Sequence, residues 1–134
     1  MLNKMFKQLS TSLIKPTKLA LVVRADLKMS KGKTAAQCAH AAVMCYQTAS
    51  VGGDAQSAAL QRWCRMGQPK IVLRVDTYYE LIELQTLANQ AQVVAALVRD
   101  AGRTQIEAGT ATVLGLGPAT SDEVNKLVAH LKLL

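Results

Sequence analysis

The stretch Leu19–Lys33, LALVVRADLKMSKGK, decides the fold. Its first part, Leu19–Ala25, is an apolar run that reads as a central strand buried on both faces. The polar loop DLKMSKG follows, and Ser30 is placed to cap a helix that opens with Lys31, Gly32 and Lys33. That helix runs to about Thr48 and is rich in alanine, with Ala35, Cys38, Ala42 and Cys45 as a small-residue stripe suited to close packing on a sheet. A buried strand that feeds a helix through a short loop is the opening of an α/β domain.

Working outward, Ser50–Asp54 (SVGGD) is a turn, with Asp54 placed to cap a second helix that carries Trp63 near its end and stops at Gly67. Ile71–Asp76 is a second strand. Thr77 to about Gln90 is a helix with Glu80 at the capping-box position and an apolar face of Leu81, Leu84, Leu87 and Ala88. Val93–Val98 is a third strand and Thr110–Leu116 a fourth, broken by Gly117 and Pro118. Ser121 then caps a last helix with the stripe Val124, Leu127, Val128 and Leu131. Helical crossovers join the first three strands and permit parallel pairing. The third and fourth strands have no helix between them, so they are antiparallel neighbours or lie apart. The expectation is a small mixed sheet covered by helices.

Composition narrows the function. Half of the 134 residues are hydrophobic, which excludes a disordered chain, and only 4% are aromatic, which argues against a stacking platform for single-stranded bases. The net charge is +7. Residues 1–18 hold four lysines and no acid, and the other 12 basic residues face 9 acidic ones. The body is therefore mildly basic, and a weak case for a polyanion partner survives. Pro16 marks the expected boundary between a basic tail, residues 1–17, and a domain over 18–134. The tail reads as solvated, or as a mitochondrial presequence. Three cysteines and no secretory segment point to a reducing compartment. Cys38 and His40 stand about 200° apart around a helix, so no metal site is expected. The charge-free stretch Thr34–Gly53 is too polar to span a membrane, and the run Leu19–Val23 is too short.

Ligands of open α/β sheets bind at the carboxyl ends of parallel strands. Two polar clusters fall there: Asp26–Lys33 after the first strand and Arg99–Thr104 (RDAGRT) after the third. If those strands are parallel and the fourth runs back from their shared edge, Lys33, Asp100, Thr104 and Thr112 converge in one cleft. Thr110 and Thr112 are two apart and face the same side. Lys28, Lys31 and Lys33 read either as a solvated loop or as a phosphate site; two of them sit in the first helical turn, where the macrodipole disfavours cations unless an anion is present. Asp100 also suits a turn before Gly102. Lys33, Gln37 and His40 share one helix face, and His40 reads either as a hydrogen-bonded, half-buried side chain or as a catalytic one. No nucleophile elbow, Walker loop or paired-carboxylate pattern is present.

The segments VVRADLKMSKGKTAAQCAHAA (22–42), GQPKIVLRV (67–75), LVRDAGRTQIEAGTATVLGLGP (97–118) and the terminal LKLL (131–134) together resemble the second, archaeal and eukaryotic, family of peptidyl-tRNA hydrolases. The resemblance runs collinearly from about residue 18 to the end. It implies a layered α/β/α domain with a four-stranded mixed sheet, a homodimer, and no metal or organic cofactor. It implies hydrolysis of the ester between a peptide and the 3′ ribose of tRNA, which recycles tRNA after ribosomal drop-off, and a cytoplasmic protein unless the tail is a presequence. The family's functional residues fall on Lys33, Asp100, Thr104 and Thr112, with Gln37 and His40 nearby. Arg24, Lys28, Lys31, Arg99 and Arg103 would then meet tRNA phosphates. The sequence departs from the family's pattern at Ala108, Asn125 and Val128–His130. The other readings of such a scaffold are a silent adaptor and a tRNA-binding module.

Overall fold

Leu19, Leu21 and Val23 point to one face of the first strand, β1 (Thr17–Arg24), and Ala20 and Val22 to the other; all five are buried. A strand with apolar groups on both faces needs cover on both, and the computed structural model, which describes residues 15–102 and 106–134, supplies it. A short 3₁₀ turn (Ala25–Leu27) leads to α1 (Lys31–Ser50) and α2 (Asp54–Arg65), whose Ala41, Cys45, Ala49, Leu60 and Trp63 pack with Leu19, Leu21 and Val23. On the opposite face, α3 (Tyr78–Gln90) and α4 (Ser121–Val128) bring Leu81, Leu84, Val124 and Leu127 against Ala20 and Val22. The domain is α/β, with helices on either side of the sheet.

The sheet also holds β2 (Lys70–Val75), β3 (Ala95–Arg99), β4 (Ala111–Thr120) and β5 (Lys132–Leu133), in the order β3-β4-β1-β2-β5. β1 pairs with β2 in parallel, while β4 runs antiparallel to both β1 and β3. It follows that β1, β2 and β3 share one direction and that β4 returns between β3 and β1. The sheet is mixed, as expected, but it has five strands and not four: Leu133 and Lys132 pair with Leu73 and Arg74. A strand of two residues has no period to read, so the terminal LKLL carried no strand signal.

Other boundaries move for local reasons. β4 does not stop at Gly117–Pro118 but continues to Thr120; the register slips between Lys18 and Ala20 opposite, and this bulge absorbs the proline that lacks an N–H. Gly117 sits there at φ +112°, and a Cβ would lie 2.9 Å from Lys18 O. The cap of α2 is Gly53 rather than Asp54, and Thr120 rather than Ser121 caps α4, its Oγ1 accepting from Glu123 N–H at 3.2 Å. Helix α4 ends at Val128, though Leu131 still packs against the core. Thr77 and Glu80 form the expected capping box. Leu87 is exposed, and so is Ala35: the buried stripe of α1 is Gln37, Ala41, Cys45 and Ala49.

Candidate active site

The capping hydroxyl of Ser30 accepts from the Lys33 N–H at 3.2 Å and so starts α1 where the sequence places it. Lys33 therefore stands in the first turn, beside the carboxyl ends of β1 and β3. Its Nζ donates to Asp100 Oδ1 in an ion pair, with only 11% of the lysine side chain and 2% of the aspartate side chain exposed. Asp100 follows the last residue of β3 and is held in place by its main chain. Its N–H donates to Thr110 O at 2.8 Å, and its carbonyl accepts from Gly109 N–H at 2.8 Å. The second carboxylate oxygen, Oδ2, accepts from the Gly102 N–H at 2.9 Å. The Lys33 hydrogen bond, and after it the Gly102 amide, hold the Asp100 carboxyl below its ordinary range. A cation in the first turn of a helix opposes the macrodipole; Asp100 is the anion that compensates it.

Beside this pair opens a cleft of about 870 Å³. Helix α1 lines it with Ser30, Lys33, Ala36, Gln37, His40 and Met44, and the end of β3 with Val98, Arg99, Asp100 and Ala101. Thr112 lies beneath, fully buried, and its Oγ1 donates to Gln37 Oε1 at 2.5 Å. Gln37 is the polar member of the buried α1 stripe, and Thr112 is its anchor. The helix sits tightly on β4 because Gly115 has no side chain: a Cβ there would fall 2.5 Å from Cys45 Sγ and 3.2 Å from Ala41 O. Burial pushes the Cys45 thiol up to about 12, so it is packing material and not a nucleophile.

The family profile described as Peptidyl-tRNA hydrolase PTH2 matches residues 17–134. This chain belongs to the peptidyl-tRNA hydrolase 2 family. It is 44% identical to the peptidyl-tRNA hydrolase of Methanopyrus kandleri over 87% of this chain and 97% of the relative. It is 48% identical to the probable peptidyl-tRNA hydrolase 2 of Drosophila melanogaster, over 87% of this chain and 61% of that protein. It is 47% identical to the mitochondrial peptidyl-tRNA hydrolase 2 of Bos taurus, again over 87% of this chain and 63% of that protein. The chain thus spans about three fifths of the length of these animal relatives.

Within this member of the peptidyl-tRNA hydrolase 2 family, Lys33, Gln37, His40 and Asp100 meet at one cleft. Thr112 joins them through Gln37 and does not itself reach the open space. Arg99 lines the mouth, its Nη1 donating to Gly109 O at 2.9 Å. Lys28 and Lys31 are exposed on the approach to α1. Arg24 is not brought into the cleft: it pairs with Asp26 at 2.7 Å, donates to Ala111 O at 3.2 Å and lies over the Tyr78 ring on the α3 side of the sheet. His40 is exposed at the cleft wall rather than half-buried. Thr104 and Arg103 lie outside the described residues. Ala36 and Met44 were missed by sequence reasoning, and the signal was available. Carrying the helical ladder Lys33–Gln37–His40 one step further reaches Met44. Among the described residues no three His, Cys, Asp or Glu side chains gather, and no helix is long and apolar enough to cross a membrane.

Proposed function

We propose that this chain hydrolyses the ester between the peptide and the 3′ ribose of peptidyl-tRNA. One observation carries the reading: a lysine and a carboxylate, 67 residues apart, form a nearly buried ion pair on the wall of an open cleft. Family membership adds the substrate class.

The chemistry needs an oriented water, stabilisation of an oxyanion and a held leaving group. Asp100 is a carboxylate at neutral pH, and its lowered pKa makes it a weak base. It suits orienting the attacking water better than stripping its proton outright. Lys33 donates one of its three N–H bonds to Asp100 and has two for the oxyanion or a neighbouring phosphate. Water adds to the ester carbonyl, the bond to the ribose oxygen breaks, and that oxygen takes up one proton from the water; the other is released to solvent, and the products are a free peptide carboxylate and a tRNA 3′ hydroxyl. No acyl-enzyme is required. Thr112 serves as a positioning residue for Gln37, whose amide faces the cleft. Thr104 would add a hydroxyl to the ribose or water. Lys28, Lys31, Arg99 and Arg103 would contact phosphates, so binding weakens as salt rises. Arg24 would act only by giving up Asp26.

We also infer a basic tail ahead of the catalytic domain, expected as 1–17 against 18–134, although Thr17 already belongs to β1, and a homodimer as the working assembly. The setting is cytoplasmic unless that tail is an import signal. The basic, acid-free tail and the name of the Bos taurus relative favour import, and N-terminal sequencing of the native protein decides it.

The test is release of N-acetyl-amino acid from N-acetyl-aminoacyl-tRNA. Wild type turns over, and Lys33→Ala and Asp100→Ala, folded by circular dichroism, do not. Absence of turnover by wild type contradicts the reading. Equal binding of charged and deacylated tRNA without cleavage would make the chain a tRNA-binding module.

A further inference from the structure

Strand β3 is the outer edge of the sheet, paired only with β4 among the described residues. Gly117 N–H donates to Val94 O, and Asp100 N–H to Thr110 O. With Ala96 opposite Gly115 and Val98 opposite Val113, the main-chain groups of residues 94, 96 and 98 are turned to β4. Those of Ala95 and Leu97 are turned outward, with no strand beside them among the described residues. Natural sheets protect such edges with proline, lysine or a covering loop. Ala95–Arg99 (AALVR) has neither proline nor lysine, and its one charge stands at the last position.

This open edge runs into the candidate active site. Its carboxyl end contributes Val98 and Arg99 to the 870 Å³ cleft and is followed by Asp100. At its other end a second hollow of about 550 Å³ is lined by Thr48, Gln92, Val94 and Ala95. An edge strand with outward amides and a hollow at each end fits an extended peptide.

We propose that the peptide moiety of the substrate adds to β3 as a further strand, parallel to it, with its ester carbonyl delivered to Lys33 and Asp100. The direction follows from chemistry. The ester is the C-terminal carbonyl of the peptide, so the peptide must run toward the carboxyl end of β3. Main-chain pairing at Leu97 and then Ala95 reads no side-chain sequence, which suits an enzyme whose substrates carry whatever peptide had been made. From Asp100 back to Ala95 is roughly 17 Å at the rise of a strand, about five substrate residues. This inference rests on the hydrolytic reading above and names how its substrate is held.

The experiment uses the full chain and peptidyl-tRNAs with N-acetylated peptides of one to six residues. Catalytic efficiency is expected to rise about tenfold between one residue and four or five, the effect of one or two main-chain hydrogen bonds, and then to level off. N-methylation of single amides in the pentapeptide substrate is expected to cost several-fold at every second position and little between, since only alternate amides face β3. Leu97→Pro removes an outward N–H, a substitution that an edge strand accommodates, and is expected to abolish the gain from length. The methylation series needs no variant, so it decides the matter even if Leu97→Pro fails to fold. Equal efficiency at all lengths, or methylation losses without alternation, overturns the proposal while leaving hydrolysis standing. No hydrolysis of any substrate overturns the activity itself.

Discussion

Asp76 and Asp100 occupy equivalent places: each follows the last residue of a parallel strand at the same edge of the sheet, with an arginine two residues before Asp76 and one immediately before Asp100. Asp76 pairs with Arg74, two residues back in the chain, at 2.6 Å, with 43% of the arginine and 68% of the aspartate side chain exposed. Asp100 ignores Arg99 and pairs with Lys33 from the first turn of α1, almost wholly shielded from water. A local, solvated pair is worth little because water screens it and the chain supplies it without folding. The long-range pair exists only when β1, α1, β3 and β4 are all in place. Shielding also raises the strength of each charge, which is what a site needs to act on a carbonyl. Asp26, paired with Arg24 over Tyr78, belongs with Asp76: it fastens a strand end and leaves the cleft to others.

The largest expected difference between the two aspartates is in turnover. Asp100→Asn should lower the rate of peptidyl-tRNA hydrolysis by about 10²- to 10⁴-fold. Asp76→Asn should leave it within about twofold, since that pair is exposed. Single-turnover kinetics on both variants measures the contrast. Next, Thr112→Val should reduce kcat/KM by about tenfold and stability by about 1 kcal/mol, through loss of the buried bond to Gln37; urea denaturation beside the activity assay separates the two.

A pH titration probes Asp100 further. Its folded pKa lies below the ordinary value of 3.8. The stabilisation from this group is therefore complete above the unfolded value and is lost as pH falls through the folded one. The stability curve of Asp100→Asn should be flatter than wild type in the acid range. The smallest effect is expected at the exposed pair, where Arg74→Ala should cost less than about 0.5 kcal/mol in denaturant melts.

Much of this was legible in the residues. The apolar run at Leu19, the Ser30 cap and the absence of a helix between Val98 and Thr110 permit parallel β1 and β3 with β4 returning beside them, one of two arrangements the sequence leaves open and the one the sheet adopts. Given that arrangement, Lys33 and Asp100 fall at one cleft, as their ion pair shows. What stayed hidden had physical causes. Helix α1 is so rich in alanine that two stripes fit it almost equally, and the one containing Gln37 can be buried because Thr112 donates to its amide oxygen. The phosphate role read for Arg24 overlooked Asp26, two residues on, which takes up the guanidinium. Leu87 is three residues past Leu84 but about 120° around the helix from Leu81, so Ala88 and not Leu87 completes the buried stripe. The strand Lys132–Leu133 is too short to announce itself.

The central claim is that Lys33 and Asp100 work as one unit, and hydrolysis rates of Lys33→Met, Asp100→Asn and the double variant test it most directly. The account expects each single variant to lose about 10²-fold or more and the double to lie within about threefold of the slower single, as for residues that act together. Losses that multiply in the double variant, or a single variant that keeps the wild-type rate, would contradict it.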